Sequence, residues 1–145
     1  MTLRLTKRFT FEMAHALPTY PGKCSNLHGH SYKLYVTVEG CPQRQPGTAD
    51  DGMVIDFGTL KAIVQQHLVD PFDHALVLPA DPGTPRDSAA LGGFAAKIVW
   101  VDFLPTTENL LLHFADILRH AIPAGTRLYS LKLYETETSC AELIL

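Results

Sequence analysis

The sequence predicts an α+β domain in which two helices cover one face of a four-stranded antiparallel sheet. Two observations carry this prediction. Apolar residues alternate at strand period in four segments and recur at helical spacing in two others. These segments follow one another as two strands, two helices, two strands. The 145 residues, 46% of them hydrophobic, suit one domain over residues 1–145 with an ordinary packed core.

The first strand is expected over Leu5–His15, where Phe9, Phe11, Met13 and His15 share one parity. The second is expected over His28–Glu39, with His28, His30, Tyr32, Leu34, Val36 and Val38 on one face and Lys33, Thr37 and Glu39 on the other. Both strands run an apolar face into histidine. Gly40–Asp51, rich in Gly, Pro and Asp, reads as a loop. A helix follows over Phe57–Val69, capped by Asp56, with Leu60, Ile63, Val64, His67 and Leu68 as its apolar stripe and Pro71 as its stop. The second helix begins after Pro105. Thr106 or Thr107 caps it, Glu108 suits its first turn, and Leu111, Phe114, Ala115, Leu118 and Ile122 form its buried stripe before Pro123 and Gly125. Leu128–Glu135 reads as a strand with Tyr129, Leu131, Leu133 and Glu135 on one face, and Ala141–Leu145 as the last strand. Between the helices, Pro79–Gly93 reads as a loop and Ile98–Phe103 as a short extra strand.

The totals narrow the function. A formal net charge of −3 without a basic stripe argues against nucleic acid as a partner. No apolar run reaches ~18 residues, so no membrane span is expected. The opening Met1-Thr2-Leu3-Arg4 lacks the apolar stretch of a signal peptide, which points to the cytoplasm. Three cysteines, Cys24, Cys41 and Cys140, argue against a disulfide framework. Cys41 and Cys140 read as thiols without a role.

The densest chemical signal is Cys24-Ser25-Asn26-Leu27-His28-Gly29-His30. Residues two apart on a strand point to the same side, with backbones ~7 Å apart, so His28 and His30 can converge on one ion. Gly29 between them removes bulk. His15, at the end of its own apolar face on the neighbouring strand, is the third candidate ligand. Three neutral imidazoles leave a zinc ion doubly positive with one position open, a site suited to Lewis-acid chemistry beside an oxygen. Cys24 is either a fourth ligand, which closes the site, or a free thiolate near it. His67, His113 and His120 read as packing or surface histidines.

Two further groups stand out. Asp73-His74 is a carboxylate beside an imidazole, fit to shuttle a proton or equally to form an ordinary turn after Pro71. Glu135 closes an apolar strand face, where a carboxylate suits the adjacent N–H donors of an amino-pyrimidinone or simply ends the strand in solvent. Thr107 and Glu108 either cap the second helix or line the same pocket.

Taken together, Phe11–His15, Cys24–His30, Val54-Ile55-Asp56-Phe57, Asp73-His74, Pro105-Thr106-Thr107-Glu108-Asn109 and Glu135-Thr136 resemble the 6-pyruvoyltetrahydropterin synthase/6-carboxytetrahydropterin synthase family, in its order and over nearly the whole chain. The resemblance implies the tunnelling fold, in which subunits join their sheets into barrels, commonly as a homohexamer of two trimers. It implies zinc on His15, His28 and His30. It implies Cys24 as the proton-abstracting base, with Asp73 and His74 completing the catalytic group from a neighbouring subunit. It also implies Glu135 as the pterin anchor, with Thr107 and Glu108 lining its pocket. The short spacing from Cys24 to His28 resembles the queuosine-biosynthesis branch, which converts 7,8-dihydroneopterin triphosphate to 6-carboxy-5,6,7,8-tetrahydropterin with release of acetaldehyde and triphosphate. The rival activities are the sister 6-pyruvoyl synthase and a non-catalytic pterin- or purine-binding module whose zinc is structural and carries Cys24. The long Pro79–Leu104 segment departs from compact members of the family.

Overall fold

A computed structural model describes residues 1–80 and 88–145. Six strands form one sheet in the order β4-β3-β1-β2-β5-β6. They are β1 (Leu3–His15), β2 (His28–Gly40), β3 (Ala75–Pro79), β4 (Ile98–Val101), β5 (Thr126–Tyr134) and β6 (Cys140–Ile144). The expected α+β class holds, and the four expected antiparallel strands pair as β1-β2-β5-β6. The sheet is nevertheless mixed. β3 lies parallel to β1, and β4, the short extra strand, lies parallel to β3. β3 went unforeseen because Ala75, Leu76 and Val77 are all buried, so the segment carries no alternation to betray it. The expected loop over Pro79–Gly93 begins at the last residue of β3, and Ser88–Leu91 forms a short 3-10 turn. Residues 81–87 of that expectation lie outside the described residues.

β1 and β2 are hairpin neighbours in a register that sets His15 directly opposite His28 and Met13 opposite His30. The strand parities predicted for β1 and β2 are met: Tyr32, Leu34, Val36 and Val38 are fully buried. On β5 the parity breaks. A bulge at the level of Thr37 and Val38 leaves Tyr129 without a partner on β2. Leu128 therefore enters the core, and Tyr129, expected on the inner face, turns outward beneath the Arg4 guanidinium, 3.5 Å from the ring centroid.

The helices are α1 (Phe57–Val64), α2 (Asp70–Phe72) and α3 (Thr107–Ala121). The Asp56 carboxylate caps α1 by accepting from Thr59 N, and the Thr106 hydroxyl caps α3 by accepting from Asn109 N. The expected Phe57–Val69 helix does not stop at Pro71. It widens into a π-helical turn over Gln65–Val69 and continues through Phe72. Proline has no N–H for the carbonyl four residues back and its ring crowds that carbonyl, so the wider turn accommodates Pro71 where an α-turn would clash. The change of pitch also turns His67 out to solvent, although its spacing had placed it on the apolar stripe. Leu60, Val64 and Leu68 pack with Leu110, Leu111, Phe114 and Leu118 over the inner faces of β1, β2 and β5 as one core.

The opposite face of the sheet is polar. The hydroxyls of Thr6 and Thr37 pair across β1 and β2 at 2.8 Å, and Arg4 and Arg127 both bond the Glu39 carboxylate. Gly40 closes β2 where a side chain would strike Gly125 O and Val54, each at 2.9 Å. Among the described residues no helix is long and apolar enough to cross a membrane.

Candidate metal centre and its surroundings

The end of the β1–β2 hairpin gathers three imidazoles. Ligand atoms of His15, His28 and His30 all lie within 4.8 Å of one another, so this cluster could hold a metal ion. His15 is 1% exposed and the other two are half-buried.

Hydrogen bonds fix the tautomers of two of the rings. His15 Nδ1 lies 2.8 Å from the carbonyl of Pro105, and His28 Nδ1 lies 2.7 Å from that of Asn26. A carbonyl only accepts, so both Nδ1 atoms carry the proton and both Nε2 atoms present lone pairs. Those lone pairs face each other at 3.1 Å. Two acceptors at that distance repel unless a cation or proton lies between them. His30 Nε2 is buried without a hydrogen-bond partner, and a buried polar atom left unmet is costly. Burial pushes the His15 and His30 pKa values down, against the raising effect of Glu135, so both rings are kept in the neutral form that ligates metals. The residues present therefore fit a metal with a preference for nitrogen donors.

Glu135 follows β5 directly. Its Oε1 lies 3.6 Å from His15 Nε2 and 3.8 Å from His30 Nε2. Tyr32, known from sequence only as a core residue, belongs to this site. Its ring lies edge-on to those of His15 and His30, and its buried hydroxyl lacks a hydrogen-bond partner. Burial and the nearby Glu135 charge push its pKa far above the usual phenol value.

Asp73 and His74 pair with each other at the edge of β1. His74 Nδ1 lies 3.0 Å from Asp73 Oδ1. Glu12 grips the pair from β1: its N–H donates to Asp73 Oδ1 at 2.9 Å and its carbonyl accepts from His74 N at 2.6 Å. The Asp73 carboxyl is held below its usual pKa chiefly by the Glu12 N–H. His74 has φ +57°, a left-handed conformation uncommon for a residue with a side chain. His28, His30 and His74 line one cavity of about 900 Å³, together with Lys97 and the apolar Leu27, Leu91 and Phe94. Gly29 opens onto this cavity. A side chain there would stand in ordinary contact, 3.4 Å from Met13 O, so the glycine leaves space and is not forced by a clash.

Other expected site residues stand apart from the ion cluster. Cys24 sits half-buried on a 3-10 turn (Lys23–Ser25) before β2, and its sulfur is not among the converging donor atoms. Thr107 is half-buried and Glu108 exposed in the first turn of α3; their link to the cluster is the Pro105 carbonyl that orients His15. Cys41 and Cys140 are exposed free thiols. His113 packs against Phe72 and Phe103, and His120 Nδ1 bonds the carbonyl of Asp116.

Fold and site together define an α+β protein with a three-histidine centre able to hold a metal at one end of a β-hairpin. A family model described as 6-pyruvoyl tetrahydropterin synthase matches residues 4–144. A 6-carboxy-5,6,7,8-tetrahydropterin synthase of Haemophilus influenzae is 37% identical over 142 residues, 96% of each chain. A protein of the same name from Aquifex aeolicus is 34% identical over 98% of each chain. The human 6-pyruvoyl tetrahydrobiopterin synthase is 33% identical over 81% of this chain and 68% of its own. Among solved structures, a Wolinella succinogenes protein aligns over 99% of this chain and 98% of its own with TM-score 0.79 at 22% identity. A Plasmodium vivax 6-pyruvoyltetrahydropterin synthase aligns over 99% and 97% with TM-score 0.75 at 21% identity, and these two show the shared fold. The chain belongs to the 6-pyruvoyl tetrahydropterin synthase family, and it is an enzyme of the lyase class.

Proposed function

We propose that this enzyme is a zinc-dependent 6-carboxy-5,6,7,8-tetrahydropterin synthase, converting 7,8-dihydroneopterin triphosphate to 6-carboxy-5,6,7,8-tetrahydropterin, acetaldehyde and triphosphate in queuosine biosynthesis. The observation that carries this reading is the 37% identity over 96% of both chains to a Haemophilus influenzae protein of that name. The three converging imidazoles support the metal dependence.

Zinc on His15, His28 and His30 would supply Lewis acidity toward the oxygens of the substrate side chain. The remaining chemistry belongs to side chains. Cys24, as thiolate, takes a proton from the substrate side chain. His74 exchanges a second proton through Nε2, since its Nδ1 is committed to Asp73. Asp73 holds that ring's orientation. Glu135 accepts the adjacent N–H donors of the pterin ring, in a pocket that Thr107 and Glu108 also line. In this reading Asp73 and His74 act on the site of a neighbouring subunit within a homohexamer in the cytoplasm. The two sheet edges, which lack an outer neighbour among the described residues, and the exposed Phe94 support such an assembly.

The position of Cys24 disfavours the binding-module alternative, which needs that sulfur on the metal. The test is incubation of the zinc-loaded protein with 7,8-dihydroneopterin triphosphate, followed by product mass and an acetaldehyde assay. A carboxylated product with acetaldehyde is expected. A pyruvoyl product without acetaldehyde assigns the sister reaction instead. Cys24→Ala should abolish turnover and keep the metal, and full activity in that variant removes the thiol from the mechanism.

A further inference from the structure

The left-handed turn at His74 is held from two sides. Glu12 grips it from β1, as described. From the other side comes Lys97, the residue before β4, which had no sequence signal of function. Its ammonium group donates to the carbonyl of Asp70 at 2.5 Å and to that of Asp73 at 2.7 Å. The first carbonyl opens α2 and the second belongs to the residue just past its end, where carbonyls lack partners within the helix and a cation is favoured. The backbone of Lys97 is fixed as well, because its carbonyl accepts from Leu76 N of β3 at 2.9 Å. Lys97 thus ties the end of α2, the strained His74 turn and the start of β4 into one unit on the wall of the cavity that also holds His28 and His30.

An ammonium facing this cavity invites a different role, that of contact for the triphosphate. The geometry argues against it. Two of its three protons are spent on backbone carbonyls, and a phosphate would have to displace them.

We infer that Lys97 is a positioning residue for the Asp73–His74 pair, keeping the His74 turn closed so that its imidazole stays on the cavity wall. The catalytic meaning of this hold rests on the function proposed above; the hold itself does not. Lys97→Met keeps the aliphatic stem and removes the donors, and Lys97→Arg restores donors. Lys97 is exposed, so the fold should survive, and Lys97→Ala gives a second truncation should Met disturb it.

The full-length, zinc-loaded variants are to be compared by steady-state kinetics and by hydrogen exchange at the His74 amide, which reports its bond to the Glu12 carbonyl. Lys97→Met should lower kcat roughly tenfold or more, as expected for a displaced proton-transfer group, and leave KM unchanged. It should also speed exchange at His74, and Lys97→Arg should reverse both effects. Unchanged exchange in Lys97→Met overturns the inference, as does a raised KM with unchanged kcat, the mark of a phosphate contact. If the unmodified protein shows no turnover, the proposed function fails, and exchange alone then decides whether Lys97 holds the turn.

Discussion

His15 shows how a single side chain is prepared for its task. Its Nδ1–H is spent on the Pro105 carbonyl, its burial keeps the ring neutral, and its Nε2 lone pair is left facing that of His28. The sequence reveals this residue because strand parity and hairpin pairing are short-range rules, and the register obeys them. It does not reveal the carbonyls of Pro105 and Asn26 that fix the tautomers, since a backbone acceptor leaves no mark in residue type. His28→Ala should reduce bound metal from one per chain to near none while the fold persists, as read by metal analysis and circular dichroism. Undiminished metal would remove His28 from the ligand set. Tyr32→Phe tests the neighbouring orphan. A buried hydroxyl without a partner costs about 1 kcal/mol or more, so its removal should leave stability unchanged or raised by about that amount in denaturant unfolding. A clear loss of stability would show that the hydroxyl has a partner, with Glu135, whose charge already raises the phenol pKa, the acceptor to suspect.

At the scale of elements, the two long strands and α3 were legible because each sustains one period over many residues. What escaped has a local physical cause in each case. Ala75–Pro79 is an apolar run too short and too buried to alternate. Pro71 is accommodated by a π-turn and does not end its helix, and one bulge reverses the parity of Tyr129. Lys97 acts on carbonyls 24 and 27 residues away, beyond the reach of any motif. The contact of α3 with the end of α2 carries a pH prediction. His113 packs between Phe72 and Phe103, and burial lowers its pKa from 6.5 against the opposing charges of Asp102 and Asp116. The folded state therefore binds this proton less readily than the unfolded chain. Stability should be unaffected well above pH 6.5 and should fall as pH drops below that value toward the lowered folded pKa. His113→Leu should flatten that decline in metal-loaded protein, in which the three site histidines are shielded from protons. A decline of unchanged steepness would assign it to other groups.

At the scale of the molecule, the helices cover only one face of the sheet, and both edges are short strands without an outer neighbour among the described residues. Strand edges present unpaired N–H and C=O groups that favour pairing with another chain. The opposite face carries ordered charge and hydroxyl pairs, and Leu27 and Phe94 lie exposed on the cavity that His74 also lines. In the proposed assembly such a chain would be completed by copies of itself, and its stability should then follow mass action. Thermal unfolding followed over a hundredfold range of protein concentration should give a midpoint that rises with concentration, and light scattering should return a multiple of the single-chain mass. Phe94→Ser should lower that mass or weaken its concentration dependence without unfolding the chain, because Phe94 is almost wholly exposed in the single subunit and contributes little to its core. A midpoint independent of concentration, together with the mass of one chain, would mean that the subunit is sufficient alone. Asp73 and His74 would then have to serve the three-histidine site of their own chain.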